Sequence, residues 1–272
     1  MWFHRRMTNV REHRRPARRV VVVIGALVAV LVAGAAGVMA FTSGSDAVRA
    51  APPRPTPVSS STTTSTTEPP TAVPRTTPLA TPKGVIPNYA TPGGPQVGTV
   101  GIWYDFPMTM PIVEDRGEWI RIRLPERPNS STAWVRRGQV KLSSTPYRIV
   151  IDVARTTLTV YKDGNELFSA PVGVGKDATP TARGSFFAAI VETPGPAGYG
   201  PVVIDTSGHS EAIQSWEGSG DAITAIHGPI SVRSDAQIGL TGTKISNGCI
   251  RMHEADQVKL AVIPVGTPVD IV

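Results

Sequence analysis

From Thr42 to Gly84 the chain carries prolines at 52, 53, 55, 57, 69, 70, 74, 78 and 82 and the run Ser59-Ser60-Ser61-Thr62-Thr63-Thr64-Ser65-Thr66-Thr67, with almost nothing apolar to bury. A segment of that composition cannot recover the entropy lost on ordering, so it reads as a disordered, partly extended spacer whose Ser and Thr residues are open to glycosylation. Stretched as polyproline II at about 3.1 Å per residue, it would hold the C-terminal part of the chain about 130 Å from its start. Globular structure is thereby confined to about 188 residues after Gly84, enough for one large or two small cores.

Upstream of the spacer, Val20 to Phe41 is free of charged residues. At 1.5 Å rise per residue this run can cross a hydrocarbon core of about 30 Å, and it exceeds the apolar stretch of about 7 to 15 residues usual in a cleavable signal. The first 19 residues hold seven Arg against Glu12, while only Arg49 and Arg54 come soon after. The expectation is a basic cytoplasmic tail (1–19), a single-pass transmembrane anchor or uncleaved signal (20–41), and C-terminal domains outside the cytoplasm, with the membrane as a partner. The small-residue stretch Val38-Met39-Ala40 keeps a processed form, secreted to the cell wall, as the alternative. The tail's net +6 equals the formal charge of the whole chain. The remainder is therefore neutral, and nucleic-acid binding by the folded part loses its electrostatic basis.

Residues 85–144 show short β-prone runs broken by turns: Val97-Gly98-Thr99-Val100, Pro111-Ile112-Val113, Trp119 to Leu124, and Ala133-Trp134-Val135-Arg136. Alternation of Trp119, Arg121 and Arg123 with Ile120, Ile122 and Leu124 predicts a strand with one wet face. Asp115-Arg116-Gly117-Glu118 and Pro128-Asn129-Ser130-Ser131 predict hairpin loops. A small β-barrel is the expected fold, and it resembles the bacterial SH3-like domains found beside cell-wall enzymes. Trp103, Trp119 and Trp134 are expected in its core, with a ligand-binding face as the alternative.

Residues 145–272 form a second, β-rich module. Strands are expected at 148–152, 157–161, 186–190, 202–205, 222–226 and 268–272, with a hairpin turn at Lys162-Asp163-Gly164-Asn165. Helical periodicity is confined to one short segment, His253 to Val262, where Ala255, Val258 and Val262 fall on one side.

Cys249 is the only cysteine, so no internal disulfide can form. A lone thiol is commonly a buried small hydrophobe, but outside the cytoplasm a spare thiol risks oxidation and needs a reason to persist. Thiols attack as thiolates, so a nucleophilic cysteine needs a base nearby. His227 closes a β-prone run 22 residues upstream and is the candidate. Gly248 permits a tight turn before the sulfur, so that the backbone amides of Gly248 and Cys249 can point at a developing oxyanion.

The segments His227-Gly228 and Ser246-Asn247-Gly248-Cys249-Ile250-Arg251, together with Thr179-Pro180-Thr181-Ala182-Arg183-Gly184-Ser185-Phe186 upstream, resemble the L,D-transpeptidase catalytic domain, the YkuD family. The resemblance covers Tyr147 to Val272 and implies a peptidoglycan enzyme with Cys249 as nucleophile and His227 as proton carrier. The oxyanion would be met by backbone amides of Asn247, Gly248 and Cys249. The implied reaction releases D-Ala from a donor tetrapeptide stem through a cysteinyl thioester and forms a 3→3 cross-link. An L,D-carboxypeptidase of the same mechanism and a non-catalytic wall-binding protein are the alternatives. Neither cofactor nor metal is implied. Peptidoglycan stem peptides are the expected partners and carbapenem-type β-lactams the expected covalent inhibitors. Arg251, Ser246, Gly228, His209, Tyr199 and Trp216 are assigned to substrate contact or support of the catalytic turn. Arg251 and Ser246 read as bracing and local hydrogen-bonding residues. Asn247 stands where relatives often have His, and the loop from His227 to Cys249 is longer than in compact relatives.

Overall fold

The computed structural model describes residues 72–216, 218–240 and 242–272. The basic tail, the apolar segment 20–41 and the spacer as far as residue 71 lie outside the described residues. Among the described residues no helix is long and apolar enough to cross a membrane. The two α-helices among the described residues, α1 (Val232–Asp235) and α2 (Glu254–Gln257), have four residues each, about 6 Å of rise against the 30 Å required. Nothing among the described residues supports the expected single-pass anchor, the membrane as a partner or the cell-membrane location, and these expectations are withdrawn from the proposed function.

The chain is mainly β. The first nine strands are β1 (Thr77–Pro82), β2 (Ile86–Tyr89), β3 (Gln96–Val100), β4 (Ile102–Trp103), β5 (Phe106–Pro107), β6 (Met110–Arg116), β7 (Trp119–Arg123), β8 (Thr132–Arg136) and β9 (Val140–Thr145). Seven of them make an antiparallel sheet in the order β3-β2-β8-β7-β6-β1-β9. The expected alternation holds in β7, where Ile120 and Ile122 are fully buried while Trp119, Arg121 and Arg123 are half-buried. The wet face is built from stacked cations and rings: Arg116 and Arg121 lie over Trp134, and Arg136 lies over Trp119.

The expected spacer ends sooner than its composition indicates. Thr77–Pro82 is a strand paired along its length with β9, and its Leu79 and Ala80 are buried. A proline-rich average conceals two apolar residues whose backbone finds ladder partners more than 60 residues away in sequence.

The second set of strands is β10 (Tyr147–Asp152), β11 (Thr157–Lys162), β12 (Asn165–Pro171), β13 (Val174–Gly175), β14 (Gly184–Glu192), β15 (Val203–His209), β16 (Ile223–His227), β17 (Lys244–Ser246), β18 (Ile250–Arg251) and β19 (Pro268–Ile271). Eight form a mixed sheet in the order β12-β11-β10-β19-β14-β15-β16-β18, in which β10 runs parallel to β19 and β16 parallel to β18. The β11–β12 hairpin turns at Asp163 and Gly164, both with positive φ, the backbone that a two-residue hairpin loop of this sequence adopts.

Strand β14 belongs to both halves. Phe186 and Ala188 sit in the core of the mixed sheet, whereas Phe187 and Ala189 point the other way, into the apolar cluster of the N-terminal sheet with Met110, Ile120 and Val135. Successive side chains on a strand face opposite ways, so one strand serves two cores. The modules are thus joined by packed side chains, beyond the covalent link at residues 144–145.

The helical segment forms, but with a different buried face. Only Glu254–Gln257 is α-helical, and Val258–Val262 continues as a 3-10 helix. Three residues per turn place Gln257, Leu260 and Ile263 in line, and these are the buried positions, whereas Val258 and Val262 are half exposed. An assumed period of 3.6 put the wrong residues inward.

Replacing Phe187 by Ala is expected to lower the unfolding free energy by about 3–5 kcal/mol. Urea unfolding monitored by fluorescence should keep one cooperative transition at a lower midpoint. Two separated transitions, only one of them shifted, would show that the cores are independent.

Candidate active site

The site is assembled where β16 and β18 run side by side. Their parallel register pairs Ile226 with Ile250 and His227 with Arg251. Cys249, one residue before β18, is thereby carried to the flank of the strand that ends in His227. The Cys249 thiol hydrogen-bonds the Ile223 carbonyl at 3.9 Å, so it lies along β16 from a point four residues before the imidazole.

The turn before the sulfur is locked by its neighbours. Gly248 has φ +123°, a conformation that L side chains rarely adopt, and an added Cβ would approach only as near as 3.7 Å to the Pro180 carbonyl oxygen. The Gly248 N–H donates to Ser246 Oγ at 3.0 Å, and the Ser246 hydroxyl donates to the Cys249 carbonyl at 2.5 Å. Thr181 Oγ1 accepts from the Gly175 N–H and donates to the Gly248 carbonyl, both at 2.9 Å. Ser246 is thus a local hydrogen-bonding residue, and segment 179–186 contributes through Thr181.

His227 is oriented from behind. Its Nδ1 lies 2.7 Å from the Gly228 carbonyl oxygen, and since a carbonyl only accepts, Nδ1 carries the hydrogen and Nε2 holds the lone pair of the neutral ring. The Gly228 N–H donates to the Tyr199 carbonyl at 2.7 Å, and that carbonyl also accepts from Gln257 Nε2 at 3.0 Å. The Tyr199 ring meets the imidazole edge-on, with centroids 5.1 Å apart. Gln257 is fully buried at the helix end and secures the loop that holds the histidine.

Burial sets both ionisations. The His227 pKa is lowered to about 4 by desolvation, with the positive charge of Arg251 adding to the effect and the Gly228 hydrogen bond opposing it. The Cys249 thiol is pushed up by burial, which also disfavours its charged form. At neutral pH burial therefore leaves both the thiol and the imidazole uncharged.

These groups open into one cleft. Cys249, His227, Ser246, Asn247, Gly248 and Arg251 form its reactive side, and Tyr199, Ile213, Trp216 and Ile230 give it apolar walls. Arg251 Nε is buried there without a hydrogen-bond partner, while the Arg251 backbone exchanges two hydrogen bonds with Gly173. Gly228 stands behind His227. His209 is absent from the cleft lining: it is 2% exposed and donates from Nδ1 to the Asp221 carboxylate at 2.9–3.0 Å. Burial would raise the Asp221 pKa, but the hydrogen bonds from His209 and the Ala222 N–H, with the charge of Arg127, outweigh it and bring the value to about 2. The Tyr104 hydroxyl beside it is pushed up to about 12 by burial and by that carboxylate.

Sequence reasoning missed Thr181, Gln257, Asp221 and Arg127. For Thr181 a signal existed, since it lies inside a recognised motif. The other three act through contacts between residues far apart in the chain.

Residues 146–271 match the family model described as the L,D-transpeptidase catalytic domain, YkuD. This region is a YkuD-type L,D-transpeptidase catalytic domain. The YkuD-type domain is 32% identical over 128 residues to the YkuD protein of Bacillus licheniformis and 31% identical over 128 residues to that of Bacillus subtilis strain 168. In each case the match covers 46% of this chain and 66% of the relative's length. Among solved structures, an L,D-transpeptidase from Mycobacterium smegmatis aligns over 57% of this chain and 90% of its own, at 18% identity and a TM-score of 0.36.

Gly248→Ala places a side chain at a φ that costs of order 1–3 kcal/mol. Expected are a comparable loss of stability and a fall of about 100-fold in the rate of carbapenem adduct formation, read by intact mass over time. An unchanged rate would show that the reactive geometry does not need this turn.

Proposed function

We propose that the YkuD-type domain acts on peptidoglycan stem peptides through a cysteinyl thioester, at the cell wall. What carries this reading is that Cys249 and His227 share one cleft, with the Gly228 carbonyl holding the imidazole hydrogen on Nδ1 so that the basic Nε2 is left for the thiol.

In the proposed reaction, Nε2 of His227 takes the Cys249 proton as sulfur attacks the carbonyl carbon that links the L-centre of diaminopimelate to the terminal D-Ala. The C–N bond breaks, the imidazolium returns the proton to the departing D-Ala amine, and the stem is left as a thioester on Cys249. Backbone amides of Asn247, Gly248 and Cys249 are the proposed donors to the oxyanion. The Gly248 N–H is engaged by Ser246 Oγ in the resting structure, so it joins only by leaving that acceptor. Arg251, which lines the cleft with its Nε unpartnered, is the proposed partner for a stem carboxylate.

Two acceptors complete the cycle. An amine from a neighbouring diaminopimelate gives a 3→3 cross-link and an L,D-transpeptidase; water gives a shortened stem and an L,D-carboxypeptidase. The two courses differ only in whether an amine or water reaches the thioester. The N-terminal sheet is proposed to be an SH3-like module of the same cell-wall enzyme.

Incubation with a carbapenem should add one inhibitor mass to the protein, and Cys249→Ala should add none. An unmodified, folded wild type would favour a non-catalytic wall-binding protein. With a stem tetrapeptide and an amine acceptor, product masses then separate transfer from hydrolysis.

A histidine held near pKa 4 is already neutral well below pH 6.5. The acid limb of the acylation rate should therefore fall near pH 4, and a limb near 6.5 would mean that the imidazole is hydrated when it acts.

A further inference from the structure

The connection between β15 and β16, residues 210–222, is a hairpin whose inner side supplies Ile213 and Trp216 to the cleft. Among its described residues, 210–216 and 218–222, the Ser210 N–H donates to the Ala222 carbonyl and the Trp216 N–H to the Asp221 carbonyl, each at 2.8 Å, the Ser219 N–H donates to the Trp216 carbonyl at 3.0 Å, and the hydroxyls of Ser210, Ser215 and Ser219 add local ties. Further fixation comes from the other half of the chain. All three nitrogens of the Arg127 guanidinium are spent on it: Nε donates to Asp221 Oδ1 at 3.1 Å, Nη1 to the Ser210 carbonyl at 2.8 Å and Nη2 to the Ile213 carbonyl at 3.1 Å. Two residues on, the Asn129 side-chain amide pairs with the His209 peptide, accepting from its N–H at 2.9 Å and donating to its carbonyl at 2.8 Å. Asp221, gripped by Arg127, also accepts from His209 Nδ1, from the Ala222 N–H at 2.7 Å and from the Tyr104 hydroxyl at 3.4 Å.

Both Arg127 and Asn129 stand in the loop between β7 and β8 of the N-terminal sheet. A planar fork with five donors can meet two carbonyls and a carboxylate at once, which a lysine point charge cannot. Backbone carbonyls such as those of Ser210 and Ile213 need partners when removed from water, and here the neighbouring module supplies them.

We propose that the N-terminal sheet is a working part of the cleft, with Arg127, assisted by Asn129, as the positioning residue that holds the 210–222 hairpin and its Ile213 and Trp216 against the bound donor stem. This rests on the function proposed above. Arg127 spends its donors on the hairpin and none on Cys249 or His227, so the clamp governs how donor is gripped and leaves the proton transfer alone. A wall that is not held must be ordered at each binding event, and the loss appears in KM more than in kcat.

The test uses the full chain with Arg127→Ala, Arg127→Lys and, in case the first fails to fold, Asn129→Ala. Steady-state D-Ala release from a stem tetrapeptide should show KM raised about 10-fold or more in Arg127→Ala with kcat within about 3-fold of wild type. The acid limb should remain where wild type has it, and Arg127→Lys should restore only part of the KM. Hydrogen exchange of amides 210–216 should be faster in each variant. An unchanged KM with unchanged exchange overturns the proposal, and so does a fall in kcat at constant KM. Should the wild type release no D-Ala and form no carbapenem adduct, the function proposed above fails. Hydrogen exchange then decides the clamp by itself: faster exchange at 210–216 supports it, and unchanged exchange rejects it.

Discussion

The parallel pairing of β16 with β18 is the constraint on which the chemistry of this protein depends. Ile226 and Ile250 are both fully buried and opposite one another, and they pin the register that sets His227 beside Arg251 and brings Cys249 back along β16. A slip of one residue would turn the imidazole and the approach to the thiol to the other face of the sheet. The long excursion between the strands, residues 228–249, is tolerated because closure entropy grows only slowly with loop length. The buried isoleucines do the work of returning it.

Burial that fixes the register also determines how the pair is charged. The strands that place His227 exclude water from it, and loss of solvation lowers its affinity for a proton while raising that of the thiol. The strong polar anchor on the ring, the Gly228 carbonyl, selects a tautomer and adds no charge. Orientation therefore passes through backbone: Gly228 to Tyr199, and Tyr199 to Gln257. A carbonyl in the place where a carboxylate could have stood keeps the resting pair neutral.

Two separate devices join the N-terminal sheet to the YkuD-type domain. One is apolar, the opposite faces of β14 packed into different cores. The other is polar, the Arg127 and Asn129 clamp on the hairpin beside the cleft. The first resists separation of the modules, and the second reaches the cleft wall directly. The hairpin takes bonds from Arg127 at Ser210, Ile213 and Asp221, so its placement is shared with the module that grips it.

Much of this was legible in the linear order of residues. Period-two alternation located β7 and Asp163-Gly164 marked a hairpin, because strand periodicity and turn chemistry are local properties, and Cys249, His227, Ser246 and Gly248, singled out by type and spacing, line one cleft. Where a conclusion depended on distant partners it went astray. Thr77–Pro82 looked like spacer until β9 paired with it, and the buried side of the 254–262 segment changed when 3-10 geometry replaced the α-helical period. The sequence alone determined which groups could react. Tertiary structure alone decided that the thiol and the imidazole would be held neutral in one cleft, and that a loop from the other module would grip the hairpin that walls it, because desolvation and cross-module hydrogen bonds exist only once the chain has closed on itself.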